Sequence, residues 1–220
     1  MQELDKRLQA VAALIRPGSR VADIGTDHAY LPVWLVRQGI CPSAIASDLN
    51  EGPLSTARRT VEAAGLTAAI SLRLGDGLAS LRPNEVDDIV IAGMGGETIA
   101  AILEAAPWVK DAHFHLVLQP MTRAEDLRRW LLHNGFSVET ERLIQDGRRF
   151  YPVLAARYTG DAAPVDDLPV YAGFFAPEEG RPYREHMAAH LCRRAEGLAL
   201  AGHIDEAAHL RELAVTLRTL

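Results

Sequence analysis

Arg20-Val21-Ala22-Asp23-Ile24-Gly25-Thr26-Asp27-His28-Ala29-Tyr30 reads as a short buried strand, a turn and the start of a helix. Val21, Ala22 and Ile24 make the near-continuous apolar run expected of a strand covered on both faces. Gly25 ends it, and an apolar helical stretch over 29–38 closes on Gly39. The same unit recurs downstream. Strands are expected over 44–47, ending on Asp48, then over 70–74, 88–92 and 114–118, with helices over 53–64, 97–105 and 123–133 between them. Strands alternating with helices of this length describe βαβ units on a parallel sheet. Upstream, Leu4, Leu8, Val11 and Ile15 recur at helical spacing until Pro17-Gly18.

The pattern changes after residue 135. Residues 136–144 and 150–158 flank Asp146-Gly147 and predict an antiparallel hairpin. Residues 159–177, rich in Pro, Gly, Ala and Asp, read as a linker. Tyr183, Met187, Leu191, Ala195 and Leu198 then mark one amphipathic helix, and Ile204, Ala208, Leu210, Leu213, Leu217 and Leu220 a second. The expected plan is an α/β domain over 1–158, a linker over 159–177 and a helical hairpin over 178–220.

Composition narrows the class. The chain has 220 residues, 48% hydrophobic and 24% charged, which excludes a mainly disordered chain. No apolar run approaches the ~20 residues of a bilayer span, so no membrane partner is expected. The opening MQELDKRLQA lacks a secretory signal's apolar block. Cys41 and Cys192 form no metal-binding or disulfide pattern, so no metal and a cytoplasmic location are expected. The formal net charge of -6 argues against a surface that grips nucleic acid everywhere.

In an open parallel sheet, ligands bind beyond the carboxyl ends of the strands. Those ends carry Asp23 to Tyr30, then Asp48, then Gly75-Asp76-Gly77, then Gly93-Met94-Gly95-Gly96. Asp27 stands where a dinucleotide fingerprint would place its second glycine, and a carboxylate there repels a pyrophosphate. GxxxxGK[ST] is absent. The array suits a ligand bearing hydroxyls and positive charge, and S-adenosylmethionine fits: its sulfonium and ammonium favour carboxylates, and its ribose offers hydroxyls to an acid. On this reading Asp48 takes the ribose and Asp76 accepts from the adenine amino group.

VADIGTDHAYLP, ASDLNEGPL, RLGDGL, DDIVIAGMGGETI and LVLQPM together resemble the signature run of the bacterial tRNA (adenine(22)-N1)-methyltransferase family, from the first helix to about Tyr158. The resemblance implies a Rossmann-like class I methyltransferase domain followed by a small, coiled-coil-like helical domain. It implies S-adenosyl-L-methionine as cofactor and tRNA as substrate. Asp23, Gly25 and Thr26 would form the first cofactor turn, with His28 near the methionine end. Asp48 would bind the ribose and Asp76 with Gly77 the adenine, Leu49 and Gly75 would belong to the same cofactor-binding set, and Gly93 would border the transfer site. The tail is arginine-bearing and histidine-rich (His186, His190, His203, His209), where the family leads one to expect more lysine.

Adenine N1 attacks through its own lone pair and becomes cationic, so orientation and a negative potential matter more than a strong base. Asp27 is the candidate to stabilise that charge, with N-capping of the following helix as its structural alternative. Tyr30 is a candidate stacking surface. Lys6, Arg7, Arg16 and Arg20, and Arg148 and Arg149 on the hairpin turn, are candidate RNA contacts. A monomer is expected. Two other functions suit the same residues: methyl transfer to a small molecule or protein, and cofactor binding without transfer in an interaction protein.

Overall fold

The computed structural model describes residues 3–147, 149–162 and 164–220. Arg148, one of the candidate RNA contacts, lies outside them. The chain runs α1 (Lys6–Ala12), β1 (Val21–Ile24), α2 (Tyr30–Arg37), β2 (Ala44–Asp48), α3 (Glu51–Ala64), β3 (Ile70–Leu74), β4 (Asp88–Gly95), α4 (Gly96–Glu104), β5 (His115–Thr122), α5 (Ala124–His133), β6 (Phe136–Asp146) and β7 (Arg149–Tyr158). It continues through α6 (Asp167–Ala172), α7 (Pro177–Leu200) and α8 (Ile204–Thr219).

The seven strands form one sheet in the order β3-β2-β1-β4-β5-β7-β6. β1 to β5 pair in parallel, while β7 runs antiparallel to both β5 and β6. Strand alternation divides the core. Ile89, Ile91, Leu116 and Leu118 pack with Ile99 and Leu103 of α4 and Leu127 and Leu131 of α5. Val90 and Val117, between them in sequence, pack with α1, α2 and α3 through Val11, Leu35 and Val61. Period-two burial on central strands covered by helices on both faces is the α/β plan expected of the alternating pattern.

β1 and β4 are neighbours although β2 and β3 separate them in sequence. That reversal of direction opens a crevice above the carboxyl ends of β1 and β4. β4 also runs further than the sequence suggests. Gly93, Met94 and Gly95, expected as a turn, continue the strand with register shifts against β5, and α4 begins directly at Gly96. A β-carbon at Gly96 would collide with the Arg123 carbonyl, so glycine is required for β4, α4 and the start of α5 to meet.

The stretch expected to be linker contains α6, whose Val170 and Tyr171 bury with Phe175, Tyr183, Met187 and Leu191 in a third core. α7 and α8 pack as the expected helical hairpin, through Leu191 and Ala195 against Leu210 and Leu213. A buried cluster joins this tail to the sheet layer. Arg128 of α5 donates to Glu141 of β6 at 2.6 and 3.0 Å, to the Val170 carbonyl at 2.9 Å and to the Tyr183 hydroxyl at 2.9 Å. The remaining Glu141 oxygen accepts the Phe174 N–H at 2.6 Å. No described helix is long and apolar enough to cross a membrane.

Candidate functional site

Gly25 is the pivot of the first turn. Its φ of +76° is open to glycine, and a β-carbon there would overlap the Met94 methyl. The Gly25 and Thr26 N–H groups both donate to the Ser47 carbonyl of β2, at 2.8 and 2.9 Å, which fixes the turn against the neighbouring strand. The Thr26 hydroxyl accepts from Ala29 N at 3.2 Å at the entry to α2. Thr26, not Asp27, therefore meets the start of that helix, and the capping alternative for Asp27 is set aside. The Asp27 side chain is 75% exposed at the mouth of the turn.

Asp23, at the end of β1, is buried beneath this turn. Burial pushes its carboxyl up from 3.8 to about 6, opposed by a hydrogen bond with Thr26 and by the charge of Arg7. Asp23, Gly25, Thr26, His28, Tyr30 and Gly93 line one cavity of about 360 Å³. His28 Nε2 lies 3.1 Å from Asp27 Oδ2, and its ring stacks on Tyr30 with centroids 5.0 Å apart. His28 Nδ1 is buried without a protein partner among the described residues. An orphaned polar atom in that position fits a ligand group that completes it.

The other predicted cofactor positions gather one strand over. Asp48 is half-buried, and one of its oxygens accepts the Asn50 N–H at 2.8 Å. Its carbonyl accepts the Gly75 N–H at 3.0 Å, bringing Gly75, exposed Asp76 and Gly77 beside it. Leu49 and Leu74 are 62% and 54% exposed there, two apolar flanks beside two carboxylates. Such a mixture suits a nucleoside: acids for its hydroxyls and amino group, and leucine for the faces of its base.

The basic residues separate. Arg16 pairs with fully buried Asp88 at 2.7 Å, and Arg20 grips Asp87 through Nε and Nη2 at 2.9 and 2.8 Å. Both acids sit at the start of β4, the end of the sheet opposite the cavity. These two arginines brace the start of β4, and their guanidiniums are engaged by those acids. Lys6 instead borders a cavity with Met121, Ile144 and Tyr151. Arg149 lines a larger cleft of about 540 Å³ with Arg123, Phe150, Tyr151, Tyr183 and His186, between the sheet layer and the tail.

Gln119, fully buried within β5, ties the edge of the cavity together and has no role assigned from the sequence. Its Oε1 accepts from Arg7 Nη1 at 2.8 Å and from the Gly93 N–H at 3.2 Å, and its Nε2 donates to the Pro120 carbonyl at 2.8 Å. A lone amide inside the apolar run LVLQPM was the available signal.

Acidic and glycine-bearing turns at the carboxyl ends of β1 to β4, on a parallel sheet finished by an antiparallel hairpin, define a Rossmann-like methyltransferase; residues 4–154 match a family model described as a methyltransferase domain. The chain is 41% identical over 171 residues to the tRNA (adenine(22)-N(1))-methyltransferase of Bacillus subtilis, covering 78% of this chain and 72% of that one. It belongs to that family. Among solved structures it is similar to a Streptococcus pneumoniae putative tRNA (m1A22) methyltransferase in complex with S-adenosyl-L-methionine, with 34% identity, a TM-score of 0.82 and coverage of 98% and 100% of the two chains. A Mycoplasma capricolum relative solved with S-adenosyl-homocysteine matches with 26% identity and a TM-score of 0.76, over 97% and 100% of the chains.

Proposed function

We propose that this chain transfers a methyl group from S-adenosyl-L-methionine to N1 of adenine 22 in tRNA. The observation that carries the reading is the cavity under the Gly25 turn. Buried Asp23 and His28 both line it, within the family's sequence run. When bound, S-adenosylmethionine supplies a methyl group made electrophilic by its sulfonium. Asp23 and the turn around Gly25 receive the methionine end, Asp48 the ribose, and Asp76 with Leu49, Gly75 and Gly77 the adenine.

On the substrate side, the N1 lone pair forms the new bond directly, and no proton has to leave the ring nitrogen first. Asp27, exposed at the mouth of the cavity, then offsets the positive charge that develops on the adenine. Tyr30, braced by its stack on His28, gives the base a wall to lie against. Lys6 and Arg149 with the aromatic cleft beside the tail supply the RNA-facing surface in this reading. The working unit is a monomer acting in the cytoplasm, where its substrate is.

Unmodified tRNA incubated with tritiated S-adenosylmethionine and the protein should take up one methyl group, and reverse transcription should then stop at position 22. Label on another nucleotide, on protein or on free nucleosides would sink the assignment.

A further inference from the structure

β5 and β7 separate at a pair of prolines. Their antiparallel ladder runs from His115 opposite Arg157 to Leu118 opposite Leu154 and stops there. Continued in the same register, it would set Pro120 against Pro152 and Met121 against Tyr151. Neither proline has an N–H to donate, so the ladder ends before them. The gap between the two strands is the cleft of about 540 Å³, and both prolines line it.

This cleft is joined to the cavity under the Gly25 turn. Met121 and Tyr151 also line an adjoining cavity of about 400 Å³, with Lys6, Ile144 and Asp146. That middle cavity in turn shares Asp5 and Arg7 with the one under the Gly25 turn. Three hollows therefore follow one another along the carboxyl ends of the strands, and Tyr151 stands on the ridge between the last two.

The side chains along this path divide by what they already hold. Phe150 packs against Tyr183 and His186, with ring centroids 6.3 and 5.3 Å apart. Arg123 is engaged by Asp126 at 2.5 Å and by Glu97 at 3.3 Å. Among the described residues, Tyr151 meets no other ring, and exposed Lys6 and Arg149 form no ion pair. Asp5 and Asp146 make the middle cavity unfavourable for a phosphate, whereas Met121, Ile144 and Tyr151 give it apolar walls that suit a base. A free aromatic ring with free cations beside it is how a single strand of nucleic acid is held, bases stacking and phosphates pairing. A base drawn out of a helix also breaks the stacking of its neighbours.

We propose that Tyr151 stacks the base next to the target adenine, with Arg149 on an adjoining phosphate, so that the tRNA is opened over two nucleotides. This rests on tRNA being the substrate. It gives the cleft between sheet and tail a defined occupant: the strand leaving the methyl-transfer cavity.

The test uses three tRNAs: one intact, one lacking the base at position 21 and one lacking the base at position 23, all retaining adenine 22. With the wild-type protein, one of the two abasic tRNAs should show a KM raised about 5- to 100-fold, the loss of one base stack. Tyr151→Ala should raise KM for intact tRNA by a similar factor and show no further penalty for that missing base. Tyr151→Phe, which keeps the ring, should behave as wild type. Both variants should bind S-adenosylmethionine with unchanged affinity. Wild-type indifference to both missing bases, or a penalty that persists in full in Tyr151→Ala, would overturn the proposal. So would weakened cofactor binding by Tyr151→Ala, which would mark the ring as a structural support. Failure of the wild-type protein to methylate intact tRNA would instead overturn the tRNA reading itself, and the proposal with it.

Discussion

Arg128 Nη2 lies 2.6 Å from Glu141 Oε1, and neither side chain has any exposed surface. The pair links α5 to β6 and reaches the tail through Val170, Phe174 and Tyr183. The guanidinium also lies over the Phe175 and Tyr183 rings, at 5.6 and 5.1 Å from their centroids. A buried ion pair adds little net stability by itself, but removing one partner strands the other charge. Arg128→Met should therefore cost about 3–5 kcal/mol in urea denaturation. Arg128→Met combined with Glu141→Leu should recover part of the loss; a double variant no better than the single one would refute the account.

Asp23 sets a pH dependence with two signs. Its carboxyl is raised from 3.8 to about 6 in the folded protein, so the folded state holds the proton more tightly than the unfolded one. The ligand-free protein is then best stabilised by this group below about pH 4 and loses that advantage as pH rises through 6. Asp23→Asn should accordingly stabilise it at pH 8 by roughly 2 kcal/mol, read from denaturation at pH 5 and pH 8.

Cofactor binding should run the other way. A cationic ligand selects the ionised carboxylate, so affinity should fall about tenfold for each pH unit below 6. Arg7, Asp27 and His28 share the cavity, and Asp23→Asn isolates the contribution of Asp23. A slope that survives this substitution would assign the titration to another group.

Asp48→Ala should weaken S-adenosylmethionine by roughly 1–3 kcal/mol, the loss of charge-assisted hydrogen bonds to the ribose. An unchanged dissociation constant by calorimetry would displace the ribose from the end of β2.

The arginines should divide by function. Arg149→Glu should raise KM for tRNA, most at low salt, without changing cofactor affinity. Arg16→Gln should leave KM alone and cost roughly 2 kcal/mol of stability, because the buried Asp88 carboxylate loses its charged donor. The reverse pattern would place the RNA at the opposite end of the sheet.

Apolar runs and glycine stops made β1 and β2 legible, since burial on both faces leaves a signature that chain order alone displays, while β3 and the hairpin were marked by their glycine-bearing turns. Proximity across the sheet left no such trace. Arg16 and Arg20 look like free cations until β4 is laid beside β1, which brings Asp87 and Asp88 to them. Arg7 and Gln119 are 112 positions apart and meet only because α1 lies against the sheet near β5. α6 was hidden by its composition: Pro169 and the surrounding small and acidic residues suggest a linker, while Val170 and Tyr171 gain their helical order from the tail they pack on.

α7 runs for 24 residues, about 36 Å at the rise of an α-helix, from a joint fastened by the Arg128 cluster. A stiff rod on a locked hinge behaves as a measuring arm: anything held at its far end stands at a set distance from the cavity under the Gly25 turn. One helical turn inserted in α7 with a matching turn in α8 would lengthen that arm by about 5 Å, altering the geometry of engagement while leaving every residue around the methyl donor where it is.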